Sequence, residues 1–124
     1  GAVAFVTACH ERVAHVCYLT GRDEPNMGTG TRRALERDGF PVGHRSTLLL
    51  KAQTRMGDTA WKKEAIPRLR TLGTVVATFE NEPRNANLFA RSFPDALNFL
   101  LETVHSPDPP GLLAGIIRTR DLLV

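Results

Sequence analysis

The chain has 124 residues, 42% of them hydrophobic and 23% charged, with a net charge of +3. That is material for one domain with an ordinary core. No apolar run approaches the roughly 18 residues a membrane span needs, and Arg, which supplies thirteen of the sixteen basic residues, is spread rather than clustered, which argues against a nucleic-acid surface and for a few Arg beside a phosphate or carboxylate.

Residues 2–13 read as a helix with Ala2, Val6, Cys9 and Val13 on one apolar stripe. Residues 14–19 form a first strand, apolar enough to be buried on both faces. Gly21 to Gly30 reads as a loop, and Thr29 or Thr31 as the cap of a helix over about 30–38. Gly39 and Phe40 fit the C′ and C″ positions of that helix, with Phe40 reaching Leu35. A second strand covers 46–50. Asp58 or Thr59 caps a helix running to about Leu72, with Trp61, Ala65, Leu69 and Leu72 on its apolar stripe and Pro67 inside it. A third strand covers 74–79. Pro83 opens a helix to about Ser92 that buries Ala86, Phe89 and Phe93. A fourth strand covers 96–101. Beyond it, Ser106-Pro-Asp-Pro-Pro-Gly111 is an irregular linker, and 112–124 reads as a short edge strand or a helical turn.

Strands alternating with helices predict βαβ units with parallel pairing. The organising stretch is Val16-Cys-Tyr-Leu-Thr20-Gly21-Arg22-Asp23, an apolar run that delivers a polar segment at a strand end. In open α/β sheets the carboxyl ends of strands are where ligands bind. Lys51 with Trp61-Lys62-Lys63, and Glu80-Asn-Glu-Pro-Arg-Asn85, repeat the design. Parallel strands would bring Thr20, Lys62 and Glu80 to one edge.

Each segment has its own chemistry. The Thr20 hydroxyl can donate to a phosphoryl oxygen, assisted by backbone N–H groups at Gly21 and Arg22; capping a turn is its ordinary use. A Lys in the first turn of a helix faces an already positive helix end, so Lys62 makes sense beside an anion, with Lys63 and Lys51 as competitors. Glu80, Glu82 and Asn85 are hard oxygen ligands suited to Mg²⁺; the alternative is that Glu82 and Asn85 satisfy backbone N–H groups at a helix start. Cys9 and Cys17 read as buried free thiols of a reducing compartment, hence a cytoplasmic protein. The histidines, His10, His15, His44 and His105, have no ligand spacing.

Together, Tyr18-Leu-Thr-Gly-Arg-Asp23, Trp61-Lys62 and Phe79-Glu-Asn-Glu-Pro-Arg-Asn85, in this order, resemble the phosphatase-like hydrolases of the haloacid dehalogenase (HAD) superfamily over residues 1 to about 105. The resemblance implies an incomplete three-layer α/β/α Rossmannoid core at 1–105, with 106–124 as a Pro-rich linker and extension. It implies Mg²⁺-dependent hydrolysis of a small phosphorylated substrate, with Thr20 binding the phosphoryl group, Lys62 stabilising its charge, and Glu80 with Glu82 or Asn85 holding the metal. Two positions depart from that pattern. No Asp-x-Asp, the superfamily's nucleophile and acid/base pair, occurs in the sequence, and Glu80 stands where Asp is usual. The strand that carries the pair is central in the superfamily. An upstream segment of the same protein is therefore expected to supply it, between strands ordered 96–101, 74–79, 14–19, 46–50. The chain by itself is expected to be inactive. A non-catalytic phosphate-binding or regulatory domain is the alternative, and a basic nucleic-acid-binding domain the remaining one.

Overall fold

The computed structural model describes residues 1–12 and 14–122; Val13, the last position of the first apolar stripe, lies outside them, as do the final two residues of the extension. The element order is α1 (Ala2–Glu11), β1 (Val16–Asp23), α2 (Glu24–Arg37), β2 (Ser46–Lys51), α3 (Asp58–Leu72), β3 (Ala77–Glu80), α4 (Pro83–Ser92), β4 (Leu97–Leu101) and β5 (Ile117–Thr119). This is a mixed α/β fold with parallel strand pairs throughout. The chain divides into two compact units, Gly1–Ala65 and Ile66–Leu122, and its strands into two sheets, β1-β2 and β3-β4-β5. The expected neighbours pair, β1 with β2 and β3 with β4, but in two sheets.

In the first unit, α2 packs on β1 and β2, completing a βαβ unit, and α1 packs on β1. Here the sequence reading of a ten-residue loop from Gly21 needs correction. β1 continues to Asp23 and α2 starts at the next residue. Asp23 is the cap, its side chain accepting from the Asn26 backbone N–H at 2.9 Å, and Pro25 lies in the first turn, where a missing N–H costs nothing. Gly28 and Gly30, read as loop glycines, are tolerated inside a helix nucleated so firmly at its start. The other end of α2 follows the sequence reading. The Phe40 N–H reaches the Leu35 carbonyl at 2.9 Å, the Gly39 N–H reaches that of Glu36 at 3.1 Å, and Gly39 has φ of 84°. That is a Schellman stop, and the left-handed turn is why a glycine stands there. Phe40 then meets Tyr18 edge-on at 6.0 Å, and the Tyr18 hydroxyl donates to the Pro41 carbonyl at 2.8 Å. Burial pushes the Tyr18 phenol up.

In the second unit, α4 packs on β3 and β4. β3 is shorter than read: Val75 and Val76 precede it, although the Val76 carbonyl still accepts from the Leu97 N–H at 3.0 Å. Ala86, Phe89, Phe93 and Leu100 are buried. On the opposite face Phe79 and Phe99, partners across the ladder, stack at 4.8 Å. Beside Leu100, Thr78 donates to Asn98 at 2.7 Å, and Asn98 donates to the Phe93 and Ala96 carbonyls, tying β4 to the end of α4. The extension forms the edge strand β5, parallel to β4. The Pro-rich stretch before it is a strap held by α4 and its entry loop. Asn81 donates to the Val104 carbonyl, Arg84 to Asp108 and Asn87 to Gly111, while the Leu113 N–H returns to Asn87. No helix among the described residues is long and apolar enough to cross a membrane. Neither Cys9 nor Cys17 is in a disulfide, and both are partly rather than fully buried.

Candidate functional site

The phosphate-binding candidates lie in the first unit. Thr20, Gly21 and Arg22 occupy an interruption of the β1-β2 ladder. Leu19 pairs with Leu49, and the next pair is Asp23 with Lys51, so four steps on β1 oppose two on β2. An interrupted ladder re-aims side chains and frees backbone groups, and such bulges gather next to active sites. The signal in the sequence was a glycine inside a strand. Within the bulge the Thr20 Oγ1 accepts from the Arg22 N–H at 3.2 Å. This is the capping role expected of a threonine, and it uses an oxygen lone pair while the hydroxyl proton stays able to donate. The Arg22 guanidinium is exposed and reaches Thr31 Oγ1 at 3.4 Å.

α3 brings the lysine. The Trp61 indole N–H donates to the Thr20 carbonyl at 3.0 Å, fixing the first turn of α3 against the bulge. Of the two adjacent lysines, Lys62 is 8% exposed and buried, whereas Lys63 is exposed. A solvated helix face would leave both in water, so burial selects Lys62. Lys51 is buried too, but its ammonium donates to the Met56 carbonyl at 2.9 Å and to Asp58 at 3.0 Å. It holds the β2–α3 loop together. Asp23, at the end of the bulge, is buried and accepts from both the backbone and the side chain of Asn26, whose amide also donates to Thr54. The Asn26 backbone N–H, ahead of its side chain and Thr54, holds the Asp23 carboxyl below the usual carboxylate range.

The metal-ligand candidates Glu80, Glu82 and Asn85 lie in the second unit, at the carboxyl end of β3 and the start of α4. Glu80 is buried and its Oε1 accepts from the Asn81 and Glu82 backbone N–H groups at 3.0 and 3.1 Å. It is therefore Glu80 that satisfies the loop's backbone, a use the sequence reading had assigned to Glu82 and Asn85. Glu82 sits at the cap position of α4 without capping it. Its Oε2 instead accepts from the Ser106 N–H at 3.0 Å, pinning the strap, and this bond is the first reason its carboxyl lies below the ordinary glutamate range. The other oxygen, Oε1, is buried with no hydrogen-bond partner. Asn85 is buried at 3% exposure. An orphaned carboxylate oxygen on a loop with a second carboxylate suits part of a Mg²⁺ shell, since that ion uses one or two carboxylates and completes its octahedron with water and phosphate. Among the described residues no group of three or more His, Cys, Asp or Glu could hold a metal.

No family model matches the chain, and no curated protein or solved structure matches it.

Proposed function

We propose that this chain is a phosphate-binding α/β core of the HAD type, serving Mg²⁺-dependent hydrolysis of a small phosphorylated substrate. The observation that carries the reading is the docking of Trp61 on the Thr20 carbonyl, with Lys62 buried beside it in sequence while Lys63 stays in solvent. A lysine drawn out of solvent in the first turns of a helix fits a site that takes phosphoryl oxygens, whose hydrogen bonds to an ammonium are charge-assisted. In this reading Thr20 donates its hydroxyl to a phosphoryl oxygen and Lys62 offsets the charge. Arg22, exposed at the rim, contributes a second cation. In the second unit, Glu80, Glu82 and Asn85 would hold Mg²⁺, an ion whose chemistry is to neutralise phosphoryl charge. The Glu82 Oε1 atom is the oxygen best prepared for it, being buried and unpartnered.

Hydrolysis in this class requires a carboxylate nucleophile in line with phosphorus. The sequence contains no Asp-x-Asp, so the nucleophile would come from an upstream segment of the same protein. The chain by itself then binds phosphate without turnover, which is also what a non-catalytic regulatory domain would do. Trp61 is the only tryptophan and reports on the site directly. Titration with inorganic phosphate should change its fluorescence saturably, and Thr20→Val should weaken that binding several-fold. An unchanged signal up to tens of millimolar phosphate would remove the reading. Turnover of an aryl phosphate by this chain, lost in Glu80→Ala, would show that Glu80 is the nucleophile instead of a ligand.

A further inference from the structure

Gly21 is a glycine for a reason that its own backbone does not supply. It lies inside β1, and its φ is not among the positive values of the chain's glycines. What a side chain there would meet is the Asp58 carboxylate, an end group that it would push aside. A Cβ built on Gly21 would lie 2.6 Å from Asp58 Oδ1, and as close to the rest of that carboxylate. The Asp58 carboxylate therefore rests on the bare Cα of Gly21. Its Oδ1 also receives the Lys51 ammonium at 3.0 Å, and Lys51 is held by the Met56 carbonyl on its other side. One turn along α3, Trp61 donates to the Thr20 carbonyl. The first turn of α3 is thus fastened to the Thr20–Gly21 bulge at two adjacent points, and Lys62 follows the second of them.

We infer that Asp58 is a positioning residue: with Lys51 it seats the first turn of α3 on Gly21, setting where Lys62 stands relative to Thr20. This rests on the phosphate-binding reading of Thr20 and Lys62. The ion pair with the buried Lys51 ammonium holds the Asp58 carboxylate in place, but by itself it would be indifferent to the residue at position 21. So would the helix dipole, which favours an acid at the start of α3 whatever stands at position 21. Only the seat on Gly21 makes the two positions depend on each other.

A double-mutant cycle in the full chain tests this, with Asp58→Ala, Gly21→Ala and the pair, read by phosphate affinity and by Trp61 emission and acrylamide quenching. Each single variant should weaken phosphate binding about fivefold and shift Trp61 emission to the red, the first by removing the carboxylate and the second by displacing it. The pair should be no worse than the poorer single variant, since Asp58→Ala makes room for the new methyl group. Gly30→Ala, at a glycine with nothing within 4 Å of the added carbon, should leave both readouts unchanged. Additive losses, or wild-type emission and affinity in Gly21→Ala, would overturn the inference. If the parent chain binds no phosphate, the phosphate reading fails alone. The emission cycle then still decides: non-additive red shifts uphold the seat, and additive or absent ones refute it.

Discussion

The two units spend their burial on different things. In the second, among the described residues, Ile66, Ala86, Phe89, Phe93, Ala96 and Leu100 are buried, and the buried polar groups are Glu80 and three asparagines, of which Asn87 and Asn98 hydrogen-bond backbone. In the first, the buried apolar side chains are Leu50 and Ala65, while Asp23, Lys51 and Lys62 are buried charges. A charge out of water is expensive unless paired or used. The second unit therefore spends most of its burial on apolar packing with a single charged side chain, Glu80, whereas the first buries three charged side chains against two apolar ones. Sites with such groups are where function concentrates and where local stability is lowest.

The contrast can be broken at its strongest point first. Phe89→Ala should cost about 4 kcal/mol, as a buried ring leaves a cavity, whereas Leu50→Ala should fall near about 2 kcal/mol, at the low end for buried leucines. Urea denaturation followed by far-UV circular dichroism measures both, and an equal or larger loss for Leu50→Ala would reverse the comparison. Next comes Lys62. Lys62→Gln should weaken phosphate binding about tenfold, equivalent to about 1.4 kcal/mol, by titration of Trp61 fluorescence. The same change at the exposed Lys63 should have less than about a twofold effect, as rim charges usually do. Equal losses at both would mean that burial does not mark the functional lysine.

A smaller effect should come from pH at Glu82. Its carboxyl is held low first by the Ser106 N–H, so the folded pKa lies below the unfolded one. The stabilisation it provides is full above the ordinary glutamate range and is lost as pH falls through the folded value. The Ser106 amide resonance should therefore move to a detached position only below that range, and Glu82→Gln should abolish this titration. A midpoint at or above the ordinary glutamate value would show that the bond to Ser106 does not control the carboxyl. Smallest of all, Arg32→Ala should leave the thermal midpoint unchanged, because its pairing with Glu24 is half-exposed on both sides.

Much of this molecule was readable from residues alone. The starts at Asp58 and Pro83, the stop at Gly39-Phe40, and the strands at 46–50 and 96–101 all rest on local rules: caps, left-handed glycines and short apolar runs. These signals act over a few residues, so no distant partner is needed to read them. Where the reading failed, the deciding contact was a cap other than the Thr29 or Thr31 it named. Gly21, Gly28 and Gly30 look like loop residues, and only the Asp23 cap with Pro25 in the first turn turns 24–30 into helix. The identity of the buried lysine, the bulge at Thr20–Arg22, the seat of Asp58 on Gly21 and the strap pinned by Glu82 were decided by tertiary structure. Each joins residues on different elements, and periodicity and spacing describe one element at a time. The sequence by itself determined which polar groups stand at the strand ends and helix starts; which of them leave the solvent, and against what, is settled only when β1, β2 and the start of α3 pack together.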